Sequence, residues 1–279
     1  MPSTSPRLWV VATPLGNPGD LSPRAREVLQ SVDVVLAEDT RRAGLLFQRC
    51  GLASRPFWNV HDHNEEQRGA EIVRWLQEGH TAALISDAGT PLMADPGYRL
   101  VRACREAGVG VSMVPGPCAP VAALMAAGIA PQPFTFLGFL PRDAAAQEAL
   151  FSTFAATPAT LVFFERKDRL AATLRTAHTL LGARELAIAR ELTKVHEEFI
   201  LTRLERHAEV PTDLLGEITV IIGPPEGQRR TPRHEVLLLL EEERGRGGKP
   251  RDVARRVQAR VSGWTGKDVY LLTTERPAD

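Results

Sequence analysis

Six carboxylates stand in short polar segments that follow apolar runs: Glu38 and Asp39, Asp62 and Glu65, Asp87 and Asp95. Gly and Pro crowd around them, above all in Ser86-Asp87-Ala88-Gly89-Thr90-Pro91 and Asp95-Pro96-Gly97. Carboxylates beside freed backbone groups suit a ligand with hydroxyls and a positive centre better than a polyphosphate. Gly89 allows a ligand to approach the backbone closely, while each proline fixes its own φ and extends its predecessor. No Gly-x-x-x-x-Gly-Lys-Ser/Thr occurs, which excludes a phosphate loop. Gly16 and Gly19 lack the leading glycine of a dinucleotide fingerprint, although Glu38 stands where a ribose-binding acid would. Ser86 lacks the Gly-x-Ser-x-Gly setting of a hydrolase nucleophile. His61 and His63 have no second His/Cys cluster to complete a metal site, so no metal is expected. Lysine is scarce beside arginine, which makes Lys194, between Glu191 and Glu197, a residue to follow.

These segments need elements to hold them. Residues 8–12, 33–36, 56–60, 81–85 and 109–114 are apolar runs that read as strands, each followed by a polar loop and a helical pattern. Ser22-Pro23 opens one such helix, with serine as N-cap and proline at the first helical position. After Pro96-Gly97, Tyr98, Leu100, Val101 and Cys104 fall on one side of a helix. Strand–loop–helix units in succession predict a parallel sheet with right-handed crossovers. In such a sheet every strand-to-helix loop leaves at the same edge, so the polar loops converge on one rim, where open α/β sheets bind small molecules.

Pro131-Gln132-Pro133 marks a break. Beyond it, strands at 134–139, 160–164, 186–189, 197–201 and 217–222, with helices over 144–156 and along Leu170, Leu174 and Leu180, predict a mixed sheet in an α+β second domain. After Gln228, helical stretches at 235–243, 252–261 and 267–275 surround a basic middle. That tail reads equally as a small helix-turn-helix-like module and as a solvated helical appendage. The expected domains are 1–116, 117–227 and 228–279.

The 279 residues, 43% of them hydrophobic, supply core enough for two domains. Lys and Arg number 34, as do Asp and Glu, so no global field draws nucleic acid or an anionic membrane. Any RNA affinity has to come from local patches, for which Arg41, Arg42, Arg68, Arg142, Arg166 and the tail arginines are available. Cys50, Cys104 and Cys118 show no Cys-x-x-Cys spacing and read as reduced thiols of a cytosolic protein. Residues 1–7 carry no apolar leader core and no run reaches membrane-spanning length, so a cytoplasmic protein without membrane partners is expected.

Taken together and in order, several segments carry a resemblance. They are Thr13-Pro14-Leu15-Gly16-Asn17, Ala37-Glu38-Asp39-Thr40-Arg41, His61-Asp62-His63-Asn64-Glu65, Ser86 to Pro91, Asp95-Pro96-Gly97, Pro115-Gly116-Pro117-Cys118-Ala119, Gly138-Phe139-Leu140-Pro141 and Arg190-Glu191-Leu192-Thr193-Lys194. Over about residues 7–225 the chain resembles the bacterial 16S rRNA (cytidine-2′-O-)-methyltransferase family of the tetrapyrrole methylase superfamily, and the tail resembles the helix-turn-helix-like extension of many members. The resemblance implies two α/β domains of tetrapyrrole methylase type, a homodimer, and S-adenosylmethionine held in the cleft between the domains. It implies a cofactor pocket of Pro14, Leu15, Asp87, Gly89, Thr90, Pro117, Cys118 and Ala119, with Phe163 or Phe164 closing over the adenine. Cys118 stands where the family usually has a small residue, often serine, and is expected to offer only backbone contact. The implied RNA side carries Glu38, Arg41, His61, His63 and Asn64, and the implied catalytic set is Asp39, Lys194 and Glu191. Asp39 and Lys194 are alternative bases for a ribose 2′-hydroxyl, Lys194 on condition that desolvation depresses its pKa. The implied partner is 16S rRNA, within the small subunit. A same-fold methyltransferase for a small molecule such as a corrin precursor, and a non-catalytic RNA-binding protein, are the alternatives.

Overall fold

The structure, a computed structural model, describes residues 6–61, 65–225 and 231–274, with residues 65–67 described in backbone only. Residues up to Pro225 form one compact unit and those from Glu226 another.

The first half of the larger unit alternates β1 (Leu8–Val11), α1 (Pro23–Ser31), β2 (Val34–Ala37), α2 (Thr40–Arg49), β3 (Phe57–Asn59), α3 (Glu65–Gln77), β4 (Ala82–Leu84), α4 (Tyr98–Glu106) and β5 (Val111–Val114). The strands pair in parallel in the order β3-β2-β4-β1-β5. The pleat sorts their side chains. Val11, Val35, Ala37, Ala83 and Ile85 pack with α1 and α2 on one face. Leu8, Val34, Leu36, Ala82 and Leu84 pack with α3 and α4 on the other. β1 therefore feeds a helix on one face while its neighbour β4 feeds one on the opposite face. Their loops part at a topological switch point, the place where such sheets open a crevice. Local signals agree with this frame: the Ser22 side chain accepts from Ala25 N at 3.1 Å with Pro23 beside it, and Asp39 caps α2. Tyr98 departs from expectation and is exposed, since the buried stripe of α4 is Leu100 and Cys104.

α5 (Ala119–Ala126) carries the chain to a second sheet. Its strands are β6 (Phe134–Phe139), β7 (Thr160–Glu165), β8 (Glu185–Arg190), β9 (Glu198–Arg203) and β10 (Ile218–Ile222), with α6 (Ala144–Phe154) and α7 (Lys167–Leu181) between them. The order is β6-β7-β10-β8-β9, with β6 and β7 parallel and the other pairs antiparallel, a mixed sheet. Leu161, Phe163, Ile188 and Val220 face α6 and α7. Val162, Ala187, Ala189 and Ile221 face Ala123 and Leu124 of α5 and its C-cap, Ala127.

The smaller unit folds α8 (Arg233–Gly245), α9 (Pro250–Gln258) and α10 (Gly266–Thr274) around Val236, Leu240, Val253, Val257 and Val269. Its basic character is largely cancelled from within. The buried Glu243 carboxylate accepts from Arg246, Arg256 and Arg260, and Glu242 takes further donors of Arg246 and Arg260. Those arginines are not the open phosphate partners expected of the tail; Lys249, Arg251 and Lys267 stand at exposed positions. Among the described residues no helix is long and apolar enough to cross a membrane.

Candidate functional site

Three loops on the carboxyl edge of the parallel sheet are tied to one another. Thr13 N donates to Gly89 O at 2.8 Å and Gly89 N to Thr13 O at 3.1 Å, joining the loops after β1 and β4. Thr90 Oγ1 donates to Pro117 O at 2.9 Å, joining the loops after β4 and β5. Arg42, from the first turn of α2, donates to Asp87 Oδ2 at 2.9 Å. Gly89 sits at φ +79°, where a Cβ would stand 2.9 Å from Leu15 Cδ2 and 3.6 Å from Pro117 O. The left-handed φ favours glycine there, and any larger residue would also have to displace the Leu15 methyl.

Opposite these loops lies the α5 side of the second sheet, and the two enclose a cavity of about 500 Å³. Leu15, Asp87, Gly89, Thr90, Cys118 and Ala119 line one wall, all of them expected there. Phe139, Phe164, Leu192, Glu217 and Thr219 line the other. The pleat of β7 decides between the two phenylalanines. Phe163 is wholly buried on the α6–α7 face, whereas Phe164 reaches the cavity, its ring 5.1 Å from Phe136 and 5.3 Å from Phe139. Cys118 caps α5 without a side-chain hydrogen bond. Pro117 contributes its carbonyl to Thr90 rather than a wall, and Pro14 lines a neighbouring groove rather than the cavity.

That groove, of about 810 Å³, shares Leu15, Arg42, Asp87, Ala88 and Glu217 with the cavity, so the two hollows are neighbours with a common boundary. Thr193 and Lys194 line it, from the turn Glu191-Leu192-Thr193-Lys194, in which Glu191 (φ +50°) and Thr193 (φ +64°) occupy the left-handed region. Such strain costs about 1–2 kcal/mol per residue and persists only where the surroundings hold it. Here they do. Asn17 N donates to Thr193 Oγ1 at 3.1 Å, and Thr193 N to Glu197 Oε2 at 2.6 Å. Lys194 Nζ donates to Glu191 Oε1 at 2.9 Å and to Glu217 Oε2 at 3.0 Å, and its stem lies so close over Gly16 that any Cβ there would overlap it.

Burial alone would lower the Lys194 pKa, but the hydrogen bonds and charges of Glu191 and Glu217 outweigh it and lift the ammonium above its ordinary value. The condition attached to Lys194 as a base is therefore not met. Glu191 shows the mirror image: burial works to raise it, yet the Glu217 N–H and Lys194 hold it below the usual carboxylate range. Glu191 lines neither hollow and acts as the support of Lys194. Asp39 also departs from the role expected of it. The Arg41 guanidinium, with the backbone N–H groups of Arg41 and Arg42, holds its carboxylate far below the ordinary range, making it a poor proton acceptor. Asp39, Glu38, Arg41 and His61 lie outside the residues lining either hollow, and Glu38 O takes the Asn59 amide. His63 and Asn64 lie outside the described residues. Among the described residues no three His, Cys, Asp or Glu side chains gather to hold a metal ion.

Of the two charged residues on the shared boundary, Arg42 was expected only as a phosphate partner and Glu217 was not expected at all. Arg42 adjoins a conspicuous Glu-Asp-Thr-Arg run, a usable signal; Glu217 is delivered by the pairing of β10 with β8, which no local pattern announces.

Comparison with known proteins places this geometry. The family model of tetrapyrrole (corrin/porphyrin) methylases matches residues 7–208. The "Ribosomal RNA small subunit methyltransferase I" of Micromonospora olivasterospora is 42% identical over 273 residues, covering 95% of this chain and 87% of that protein. The protein of the same name from Escherichia coli O157:H7 is 48% identical over 192 residues, 68% of this chain and 67% of that protein. Among solved structures, the uroporphyrin-III C-methyl transferase from Thermus thermophilus, complexed with S-adenosylhomocysteine, superposes with a TM-score of 0.56 at 22% identity, over 78% of this chain and 97% of that one.

Proposed function

The chain belongs to the tetrapyrrole (corrin/porphyrin) methylases and, within them, to the ribosomal RNA small subunit methyltransferase I proteins, and from that membership we propose that it transfers a methyl group from S-adenosylmethionine to the ribose 2′-hydroxyl of a cytidine in the decoding centre of 16S rRNA. The observation that carries this reading is the adjacency of the two hollows: a partly aromatic cavity shares Leu15, Arg42, Asp87, Ala88 and Glu217 with a groove that Arg49 and Lys194 also line.

The cavity fits the cofactor on its own chemistry. Its volume lies in the range of small-molecule sites. Phe164 and Phe139 offer ring faces to an adenine, Asp87 a carboxylate to a cationic centre, and Gly89 a floor without a side chain. The start of α5, capped without a side-chain bond, leaves N–H groups for a carboxylate.

When bound, S-adenosylmethionine supplies a methyl group already activated on a sulfonium. What remains for the chain is positioning, out of which about 7–11 kcal/mol of a barrier can come, and removal of the hydroxyl proton. Leu15, Ala88 and the Arg42–Asp87 pair form the boundary at which an acceptor from the groove meets the cavity. Asp87 and Glu217 carry the carboxylates on that boundary, and a base there adds roughly 10²–10⁴ in rate. Lys194 keeps its proton and anchors the turn. The same reading makes the enzyme a cytoplasmic homodimer, supported by the exposed Met113, Val121 and Met125 on edge strand β5 and on α5. Labelled methyl transfer to small-subunit particles, bare 16S rRNA and a tetrapyrrole mixture tests the reading. Label in the RNA of the first or second supports it; label in the tetrapyrroles alone replaces it with a small-molecule methyltransferase.

A further inference from the structure

The groove beside the cavity has a composition that RNA methylation alone does not explain. Leu45 (52% exposed) comes from α2 and Val195 (95% exposed) directly follows the strained turn, far apart in sequence, yet both line this hollow. A single exposed aliphatic side chain is ordinary; two lining one groove give it apolar surface open to a ligand. Cations border it. Arg42 and Arg49 are seven residues apart on α2, two helical turns, and so share a side of the helix about 10 Å apart along its axis. Arg42 is engaged with Asp87, whereas Arg49 makes no ion pair among the described residues and keeps its fork of donors for an anion.

Resting on the rRNA methyltransferase reading, we propose that this groove receives one nucleotide of the RNA unstacked from its neighbours, with its base between Leu45 and Val195 and its flanking phosphates on Arg42 and Arg49. The ribose of such a nucleotide comes to the boundary of Leu15, Asp87 and Glu217, where groove and cavity meet. A nucleotide still stacked in a helix would leave these apolar side chains uncovered, while an unstacked one presents both an apolar base face and an accessible sugar. The chain has no net charge to attract RNA from a distance, so the cations must stand where the strand is gripped. Aliphatic walls contact any base face, so the groove holds a nucleotide without reading its edge.

The test uses the full-length protein and three variants at exposed positions, Arg49→Ala, Leu45→Asp and Val195→Asp. Affinity for a labelled single-stranded RNA oligonucleotide and for a matched duplex is measured across a salt series, with methylation of small-subunit particles and S-adenosylhomocysteine affinity alongside. Wild-type S-adenosylhomocysteine affinity certifies each variant as folded. Arg49→Ala is expected to weaken single-strand binding several-fold and to reduce the log–log salt slope by about 0.7, one single-strand phosphate contact. Leu45→Asp and Val195→Asp are expected to raise KM for the particles several-fold. Folded variants with wild-type RNA affinity, salt slope and KM would overturn the proposal and leave the methyltransferase reading standing. Duplex bound as tightly as single strand, with equal sensitivity to Arg49→Ala, would overturn it too. A wild-type protein that methylates no rRNA removes the reading and the proposal together.

Discussion

Replacing Lys194 by methionine separates an anchoring ammonium from a catalytic base. Lys194→Met keeps an unbranched stem over Gly16 and removes only the charge. The charge has two partners. Glu191 is mostly buried, with 19% of its side chain exposed, and after the substitution it retains the Glu217 N–H at 3.0 Å as a donor. A hydrogen bond to a charged group at such a site contributes about 1.5–3 kcal/mol. Glu217, 73% exposed, adds at most about 1 kcal/mol. The expected destabilisation is therefore about 2 kcal/mol in chemical denaturation. Glu191→Gln and the double variant close a cycle whose coupling energy is expected at about 1–2 kcal/mol. The pH dependence has a definite sign. The raised Lys194 contributes stability that is full below its unfolded value of 10.5 and is lost as pH rises through its folded value. The lowered Glu191 contributes stability present above 4.5 and lost as pH falls through its folded value. The coupling should thus be flat between those limits and shrink at both ends. In methyl transfer, Lys194→Met should retain the pH–rate profile of the wild type. A variant as stable as wild type that has lost its turnover, together with one limb of the pH–rate profile, would refute this reasoning and restore Lys194 as a base.

Gly89→Ala places a Cβ 2.9 Å from Leu15 Cδ2 at a left-handed φ, which costs about 1–2 kcal/mol in backbone strain, and should weaken S-adenosylhomocysteine binding tenfold or more by calorimetry. Phe164→Ala should reduce that affinity at modest cost in stability. Phe163→Ala, on the opposite and fully buried face, should instead cost about 3–5 kcal/mol in stability with cofactor affinity retained at temperatures where it stays folded. Removing residues 229–279 should leave S-adenosylhomocysteine affinity unchanged and flatten the salt dependence of RNA binding; because Arg246, Arg256 and Arg260 are engaged by Glu242 and Glu243, the loss should be smaller than the arginine count suggests. Equal salt slopes for the two forms would remove the tail from RNA binding.

The parallel sheet was legible because its strands are short apolar runs closed by Gly, Pro and carboxylates, and the convergence of the loops follows from parallel pairing alone. Caps were legible where one residue decides them, as at Ser22. The choice between Phe163 and Phe164 was not, since Thr160 to Phe163 are buried on both faces of the sheet and show no alternation from which to read the pleat. The state of Lys194 depends on Glu217, which lies 23 positions along the chain and arrives through sheet pairing. Asp39 reads as a rim acid in sequence, but the N-terminus of α2 and Arg41 use it as a cap. The arginines of the tail read as a basic patch because Glu243 meets Arg256 and Arg260 only after α8 and α9 pack.

The proposed methyl-donor site is one hollow, walled by loops from three parallel strands and by the ring of Phe164. A crystal structure of the full-length chain with S-adenosylhomocysteine tests this most directly. The ligand is predicted between Gly89, Cys118 and Phe164, with its sulfur facing the boundary at Asp87 and Glu217. Ligand bound elsewhere on the chain, with this cavity left to solvent, would contradict it.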